Sequence, residues 1–311
     1  MGERPVLDLG GNRSLSHSRR STFRRCRRLY YLQYVQGLQL KETPAPLRMG
    51  SIYSDGLETQ DPEVVQSEYA ELVAEAMHDG NYFFAEQLLD ELAVVRPMVE
   101  TYLSKVSLPG VEREVAFTGP SHQGYQDNGF FDGIKLPSDS TGGKLLLVEN
   151  KLKGRFARAE EESLKTDEQL LGYILNACIK YDVTADQVEV RYEVAKKPGL
   201  RCGKNETRET FRTRVSNDIR TNPEKYHVVI DGTGLGRTQS QLDQWMHEFE
   251  RMVSDLKLEE TLLHEKPSHA YPMNRDACHQ FGVCSMINIC GAVSVDKAQL
   301  EIEKNFNVRT P

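Results

Sequence analysis

The segment NGFFDGIKLPSDSTGGKLLLVENK, residues 128–151, decides the fold that we predict for this chain. Asp132 follows an apolar pair, and a second apolar run leads into the tripeptide Glu-Asn-Lys at 149–151. Two such runs joined by a polar Gly/Ser turn predict a β-hairpin. The hairpin would bring two carboxylates and one ammonium to the same end of a sheet. Such a trio can hold a divalent metal ion and prepare a water for attack on a phosphodiester.

Taken alone, these three charged residues have a second interpretation. Charged side chains are common where strands end at a protein surface, so Asp132 and Glu149 could be two ordinary surface acids. Lys151 lies two residues from Glu149 on the predicted strand, which places both side chains on one face. The rest of the chain has to decide between the two interpretations.

The composition is that of a globular protein. The chain has 311 residues, of which 39% are hydrophobic and 27% charged, which is ordinary for a soluble domain. No apolar run approaches the ~20 residues of a membrane span, and residues 1–14 lack the apolar core of a signal peptide. We therefore expect a cytoplasmic protein without a membrane partner, whose six Cys are thiols or ligands rather than disulfides.

The charge is unevenly distributed, although the formal net charge is −7. Residues 13–28 contain seven Arg and no acid, and residues 191–220 contain nine Lys/Arg against four acids. The acids concentrate in 58–100 and 241–266. Two basic patches on an acidic body suit a groove that follows nucleic-acid phosphates. The alternative is that both patches are solvated helix faces.

The periodicity predicts a mixed α/β protein. We predict helices at 22–36, 62–104, 160–180, 204–223 and 238–263, and strands at 111–117, 128–151 (the hairpin), 188–197 and 226–230. We divide the chain into a basic helix with a helical subdomain at 1–110, a core at 111–265, and a Cys-bearing tail at 266–311.

Helix 160–180 carries Gln169 and Tyr173, which are four residues apart and share a face. Both side chains can hydrogen-bond a phosphate or fix a catalytic Lys. A Gln and a Tyr at this spacing also occur often by chance.

The tail contains three Cys, Cys278, Cys284 and Cys290, which recur every six residues without a CxxC pair. A closed four-thiolate site needs one more ligand, and Cys26, on the apolar side of the predicted helix 22–36, is the candidate. Four thiolates suit an iron–sulfur cluster or zinc. The alternative is that the three tail Cys are unrelated buried residues.

Together these features resemble the RecB-like branch of the PD-(D/E)XK nuclease superfamily. The chain is similar in particular to the iron–sulfur nucleases of CRISPR adaptation, to AddB-type helicase–nucleases, and to their phage-encoded relatives. The resemblance spans about 16 to 290 in the family's order, and it rests on SxSRRSTFRRCRRLYYLQYVQGL at 16–38, GFFDG at 129–133, VENK at 148–151, Gln169-x-x-x-Tyr173 and the three tail Cys.

The resemblance implies a restriction-endonuclease-like αβββαβ core that follows an N-terminal helical subdomain and precedes a Cys-ligated C-terminal tail. It implies that Asp132 and Glu149, with the carbonyl of Asn150, bind Mg²⁺ or Mn²⁺. Lys151 would orient and polarise the attacking water, and Gln169 and Tyr173 would support the site and the DNA backbone.

The resemblance also implies that Cys26, Cys278, Cys284 and Cys290 hold a [4Fe–4S] cluster that connects the basic helix to the tail, with Zn²⁺ as the alternative. The DNA contacts would come from the basic helix, through Arg19, Arg20, Arg24, Arg27 and Arg28. The implied setting is the cytoplasm of a bacterium or a phage-infected cell, with a recombination, helicase or single-strand-binding protein as a possible partner.

Two features depart from the family pattern. The family carries a metal-binding His in a Gly-x-x-x-His segment, where this chain has Tyr53 after Gly50. A phenol binds a hard cation poorly unless it is ionised, so Asp55 or Glu58 would have to substitute for that ligand. The Cys spacing in the tail is also wider than the common CxxC form.

The resulting prediction is a metal-dependent nuclease acting on DNA ends or single strands. The competing prediction is a non-catalytic DNA-binding or scaffold protein built on a nuclease fold, and Tyr53 is the residue that favours it. The sequence leaves open the polarity, the choice between endo- and exonuclease action, and the oligomeric state.

Overall fold

The computed structural model describes residues 11–138, 141–231, 234–280 and 282–309. The chain divides into two compact units whose segments alternate along the sequence. Pro44–Phe117 and Phe130–Leu242 belong to the first unit; Thr118–Gly129 belongs to the second, with the described residues up to Thr43 and those from Asp243 onward.

The helices of the described residues are, in chain order, α1 (His17–Arg25), α2 (Arg27–Tyr30), α3 (Ala45–Glu58), α4 (Pro62–His78), α5 (Tyr82–Lys105), α6 (Arg158–Ser163), α7 (Glu168–Tyr181), α8 (Arg208–Thr221), α9 (Pro223–Tyr226), α10 (Gln239–Glu265), α11 (Ile287–Cys290) and α12 (Val295–Asn305). The strands are β1 (Arg13–Ser14), β2 (Leu38–Leu40), β3 (Glu112–His122), β4 (Tyr125–Lys135), β5 (Leu145–Lys153), β6 (Val188–Lys196), β7 (His227–Asp231) and β8 (Phe306–Val308). Within the described ranges, no helix combines the length and apolar character needed to cross a membrane.

The predicted hairpin is confirmed, because β4 and β5 pair antiparallel, with Gly133 opposite Val148. Residues 139–140 of its predicted turn lie outside the described residues. β5 continues parallel to β6, from Leu145 opposite Val188 to Lys153 opposite Lys196. β6 pairs antiparallel with β7, and β3 pairs with β4. Helices before three strands, then α7, then β6, confirm the predicted restriction-endonuclease-like core.

The sequence of β5 explains its central place in the sheet. Leu145, Leu147 and Val148 are all buried, as expected for a strand covered on both faces. On one face, Leu152 of β5 and Ala195 of β6 pack into a core cluster with residues of α3, α4, α5 and α8. On the other face, α7 contacts β6 and buries its own Leu170 and Ile174. Because both faces are buried, the register of β5 is fixed. Each side chain along β5 therefore lies on a defined face of the sheet.

The predicted helix at 22–36 is wrong as a single element. α1 ends at Arg25, Cys26 is extended with φ −160°, and α2 leads into a π-helical turn at Tyr31–Val35. The backbone N–H of Asn274 donates to the Cys26 sulfur at 3.4 Å. A contact from so distant a part of the chain leaves no trace in local periodicity.

Two further pairings lie outside the sequence prediction. β3 extends to His122, beyond the predicted end at 117, and returns as β4 through Gln123 and Gly124, both with positive φ. Two residues in that conformation form the tight turn that suits a twisted hairpin. β2 pairs antiparallel with β8 near the far end of the chain, and strands of three residues are too short for pattern recognition.

Candidate active site

Asp132 and Glu149 lie on neighbouring strands of the first unit, at the point where the β4–β5 ladder opens. The last registered pair is Gly133 with Val148. Beyond this pair, the backbone N–H of Asn150 donates to Oδ2 of Asp132 at 2.8 Å. The Asp132 carboxylate therefore accepts an N–H donor of β5 beyond the last registered pair, which holds it beside Glu149.

Glu149 is fully buried, and Lys151, on the same face of β5, forms an ion pair with it. Burial raises the pKa of Glu149 well above its usual range, and the Asp132 carboxylate raises it further, while Lys151 opposes both. Burial alone would lower the pKa of Lys151, but the carboxylates of Glu149 and Asp132 outweigh it and raise that pKa. The three groups therefore form one electrostatic unit in which Lys151 keeps its proton.

The residues present fit a Mg²⁺ or Mn²⁺ ion. Oε1 of the buried Glu149 faces the Lys151 ammonium, whereas Oε2 accepts no hydrogen bond from a described residue, and a buried acceptor without a donor is costly. No group of three or more His, Cys, Asp or Glu side chains in the described ranges is arranged to hold a metal. Mg²⁺ commonly uses one or two carboxylates and fills its other positions with water and substrate oxygens, so the pair of Asp132 and Glu149 is sufficient.

Gln169 and Tyr173 point toward this site from α7. Nε2 of Gln169 donates to the Tyr173 hydroxyl at 2.9 Å, and the Tyr173 ring packs edge-on against Phe117 and Phe131, with centroids 5.6 Å apart. Burial, followed by the charges of Glu149 and Asp132, raises the pKa of Tyr173. Its phenol therefore stays neutral and can donate a hydrogen bond.

The start of α7 is fixed by Asp167, whose side chain accepts from the Leu170 N–H at 2.9 Å. An acid at this capping position satisfies an otherwise unpaired helix donor. Its charge also raises the pKa of Glu149, in addition to burial and the Asp132 carboxylate. The cap thus sets the position at which Gln169 and Tyr173 face the sheet.

A buried polar network on the opposite face of the sheet is absent from the sequence prediction. Glu193, the register partner of Asn150, accepts from the Tyr102 hydroxyl at 2.5 Å and from Nδ2 of Asn150 at 3.3 Å. Arg113 donates to the Tyr102 hydroxyl at 2.7 Å, and Arg191 donates to Glu193 at 2.5 Å. The signal in the sequence was an acid, Glu193, between the apolar Tyr192 and Val194 of the VEVRYEVAK strand, since a buried charge requires partners.

Tyr53 is buried at 3% exposure within α3. Burial raises its pKa well above the ordinary value, and the neighbouring Tyr102, Glu193 and Asp132 raise it further. Its phenol is therefore neutral, the form that binds a hard cation poorly. Asp55 and Glu58 are the two acids predicted to replace Tyr53 as a metal ligand. Glu58 is exposed. Asp55 lies near Glu68, whose pKa is raised by burial and then by the charge of Asp55.

The Arg residues of the basic helix do not share one role. Arg20 was predicted to contact DNA, but it is 2% exposed, forms an ion pair with Asp127, and lies over the Trp245 ring at 5.0 Å. Asp127 therefore neutralises the charge of Arg20 within the second unit, and the prediction that Arg20 contacts DNA is wrong. Arg27 pairs with Asp255 at 2.9 Å and with Glu259 at 2.5 Å.

The other three arginines predicted to contact DNA, Arg19, Arg24 and Arg28, are at least partly exposed. Arg19 donates to the carbonyl of Ser14 at 3.0 Å and lies over the Tyr34 ring. Arg28 lies over the Tyr31 ring at 5.8 Å, and Arg24 is exposed. A guanidinium over an aromatic ring still presents its edge to a phosphate.

Arginines of the second basic patch, 191–220, form ion pairs with acids of the acidic segment 58–100. Arg212 pairs with Glu86 at 2.5 Å and with Asp90 at 2.8 Å, and Arg220 pairs with Glu100 at 2.7 Å. These contacts join α8 to α5. For Arg212 and Arg220 the interpretation as a phosphate-tracking surface is wrong, because these two residues face the acidic side of a packed helix.

The four predicted cysteine ligands lie in one region of the second unit. Cys26, Cys284 and Cys290 belong to or pack against the same apolar cluster, and the Cys284 N–H donates to the carbonyl of Cys278 at 2.8 Å. Burial, followed by the neighbouring Cys284, Cys26 and Cys278, raises the pKa of Cys290 to about 11. The thiols are near one another, but in the described residues they are not arranged as a metal site.

Comparison with known families gives one match. The family model of the PD-(D/E)XK nuclease superfamily matches residues 14–291. That range contains Asp132, Glu149 and Lys151 as well as the four cysteines. No curated protein matches the chain significantly.

Proposed function

The chain belongs to the PD-(D/E)XK nuclease superfamily, whose members typically hydrolyse phosphodiester bonds, and we propose that it is a metal-dependent deoxyribonuclease. The observation that carries this proposal is the placement of Asp132, Glu149 and Lys151 on two neighbouring strands, with Lys151 ion-paired to a buried Glu149. A buried carboxylate beside a second, half-buried one is expensive to maintain without a ligand. A divalent cation is the ligand that such a pair suits.

In the proposed mechanism, Asp132, Glu149 and the carbonyl of Asn150 would hold Mg²⁺ or Mn²⁺. When bound, the ion lowers the pKa of a coordinated water and offsets charge on the phosphate. Lys151 keeps its proton because of the two carboxylates, so it acts as a hydrogen-bond donor that orients the water and the phosphate. The neutral Tyr173, held by Gln169, donates to a phosphate oxygen.

The substrate that we propose is DNA with free ends or single-stranded regions, degraded as an exonuclease. The support is the resemblance of the basic helix to that of RecB-like nucleases. In this helix Arg19, Arg24 and Arg28 are at least partly exposed and can contact phosphates. Arginine and aromatic side chains together suit single strands, whose bases are available for stacking.

The test is digestion of end-labelled single- and double-stranded DNA with Mn²⁺. Activity should fall by at least 10²-fold in Asp132→Ala and in Lys151→Ala, by loss of the metal ligand and of the donor. Asp79→Ala, which removes an exposed acid at the end of α4, is the matched control and should retain activity. Wild-type activity in either site variant would refute the assignment. Release of single nucleotides from an end separates an exonuclease from an endonuclease.

A second candidate is a DNA-binding protein that has lost catalysis. The neutral, buried Tyr53 at the family's His position favours it. This candidate predicts DNA binding with no cleavage at millimolar Mg²⁺ or Mn²⁺, under anaerobic conditions that preserve any cluster. Cleavage that depends on Asp132 would exclude it.

For the second unit, the proposal is that Cys26, Cys278, Cys284 and Cys290 ligate a [4Fe–4S] cluster, with Zn²⁺ as the alternative. The thiols are close enough to act on one another electrostatically, and ligand geometry often forms only together with the metal. Anaerobically purified protein should be brown and contain about four iron and four sulfide per chain, as such a cluster requires. Cys278→Ser should remove the colour, whereas Cys202→Ser, at an exposed Cys outside the set, should not. Zinc without sulfide would select the alternative.

A further inference from the structure

Two lysines occupy neighbouring positions at the ends of the parallel strands that carry the active site. Lys153 of β5 is the register partner of Lys196 of β6. Since side chains alternate along a strand, Lys153 lies on the same face as Glu149 and Lys151. Paired residues of adjacent parallel strands lie on the same face of a sheet, about 4.8 Å apart at the backbone, so Lys196 lies on this face too.

No ion pair within the described part of the chain compensates these two charges. Neither Lys153 nor Lys196 pairs there with an Asp or a Glu, whereas Arg191 on the same strand as Lys196 pairs with both Glu193 and Asp231. Like charges opposite each other destabilise a sheet. An arrangement of this kind becomes favourable when an anion lies between the two ammonium groups.

Aromatic rings direct Lys153 back toward the active site. Its ammonium lies 5.1 Å from the centre of the Phe156 ring and 5.7 Å from that of Tyr192. Tyr192 is the register partner of Glu149, so the Lys153 ammonium lies over the residue next to the metal-binding carboxylate. Cation–π contacts hold an ammonium without neutralising it, so the charge remains available to a phosphate.

We propose that Lys153 and Lys196 form a second phosphate site, which binds a backbone phosphate of the DNA strand adjacent to the phosphate that is cleaved. The proposal rests on the proposed nuclease function, since that function supplies the DNA strand. Lys151 and Lys153 are separated by about 7 Å along the strand, a distance on the scale of one nucleotide. Asp132 and Glu149 would therefore face the reacting phosphate, while Lys153 and Lys196 hold its neighbour in register.

The test measures DNA binding separately from cleavage. Full-length protein carrying Asp132→Asn is titrated, without divalent metal, against a 5′-fluorescein single-stranded oligonucleotide, and Kd is measured by anisotropy from 50 to 300 mM NaCl. Lys153→Ala and Lys196→Ala should each weaken binding three- to tenfold at about 100 mM salt. Each should also reduce the slope of log Kd against log salt by about 0.7, the value for one phosphate contact on a single strand.

Lys180→Ala is the matched control, because Lys180 also lies over a ring, that of Tyr181 at 5.7 Å. It stands about 10 Å along α7 from Tyr173, at 1.5 Å per residue, and its removal should leave both Kd and slope unchanged. Lys153→Arg should restore binding, which separates loss of charge from loss of packing. Unchanged Kd and slope in both alanine variants, or an equal effect of Lys180→Ala, would overturn the phosphate site.

Cleavage assays in the otherwise wild-type protein separate this inference from the function on which it rests. Lys153→Ala should raise KM with kcat within about twofold, the pattern of lost substrate binding. If the wild-type protein cleaves DNA but the lysine variants match it in KM and in binding, the phosphate site fails alone. If the wild-type protein does not cleave DNA but the lysine variants lose binding, the nuclease function fails and the phosphate site remains.

Discussion

Asn150 joins the Asp132 carboxylate of the candidate active site to the polar network behind the sheet. Its backbone N–H donates to Asp132 at 2.8 Å, and its side chain donates to Glu193 at 3.3 Å. One residue thus connects a proposed metal ligand on one face of the sheet with a buried carboxylate on the other. Outer groups of this kind commonly set the orientation of metal ligands.

The first prediction concerns Glu193 as a positioning residue. Glu193→Gln keeps the shape but weakens the bonds from Tyr102 and Arg191, which should let the strand bearing Asn150 shift and loosen Asp132. We expect kcat to fall roughly 10- to 100-fold, as for other groups behind a metal site, with a higher Mn²⁺ concentration for half-maximal activity. Glu193→Asp should recover part of the activity.

The Mn²⁺ dependence distinguishes positioning from general instability. A protein that is merely less stable loses active molecules but binds Mn²⁺ with unchanged affinity. Glu206→Gln is the control, since Glu206 pairs with Arg214 near the surface at 2.8 Å. A loss of activity in Glu193→Gln without a change in Mn²⁺ dependence would contradict the role.

The second prediction concerns Tyr53. Because its phenol is buried and neutral, it should contribute little to metal binding, and Tyr53→Phe should change the Mn²⁺ requirement by less than about twofold. Tyr53→His would place an imidazole, a good transition-metal ligand, at that position. We expect it to lower the Mn²⁺ concentration for half-maximal activity, measured with the same DNA substrate. A strong loss of Mn²⁺ affinity in Tyr53→Phe would show that the phenol is a ligand after all.

Local pattern was enough to predict which candidate side chains share a face, but not what surrounds them. Alternation placed Glu149 and Lys151 on one face of β5, and helical spacing placed Gln169 within hydrogen-bond reach of Tyr173. Tyr102, which donates to Glu193, comes from α5, and Arg113, which donates to Tyr102, comes from β3; both elements are distant in sequence from Glu193. Periodicity describes which face a residue occupies, and it contains no information on which distant element covers that face.

Charge was the least predictable property of the chain. The Arg-rich segment suggested a DNA-binding surface, yet Arg20 is buried against Asp127 within its unit. Arg212 and Arg220 similarly meet acids of α5. Counting charges along a sequence reveals their number but not their pairing, and pairing decides whether a basic residue is available to DNA.

The third prediction concerns the buried ion pair between Arg48 and Glu91, each 6% exposed. Arg48 donates twice to Glu91, at 2.9 and 2.6 Å. Glu91→Ala removes the carboxylate that compensates a buried guanidinium, and we expect the free energy of unfolding to fall by about 3–5 kcal/mol in urea titrations.

A double variant and a surface pair provide the controls for this ion pair. Arg48→Met combined with Glu91→Leu removes both charges and should recover most of the loss, because an apolar pair of similar volume replaces it. Glu162→Ala breaks the exposed pair with Lys165 and should cost less than about 1 kcal/mol. Equal costs for Glu91→Ala and Glu162→Ala would contradict the argument from burial.

The last prediction concerns the pH dependence of stability through His227. Burial lowers the pKa of His227 from 6.5 to about 4, and Nε2 lies 2.9 Å from Oγ1 of Thr101. The folded state therefore holds a neutral imidazole, whereas the unfolded chain takes up a proton below about pH 6.5. Above that pH the residue's contribution is constant, and it is lost progressively as the pH falls toward 4.

The expected loss is on the order of 3 kcal/mol over this window, at 1.36 kcal/mol for each tenfold change in proton affinity. Urea unfolding at pH 7.0, 6.0, 5.0 and 4.5 measures it, and the comparison with His227→Gln isolates this residue from the acids that titrate in the same range. The variant should lose less stability between pH 7.0 and 4.5 than the wild-type protein does. Parallel curves for the two proteins would mean that His227 binds its proton equally well in both states, and that its burial does not disfavour the charged form.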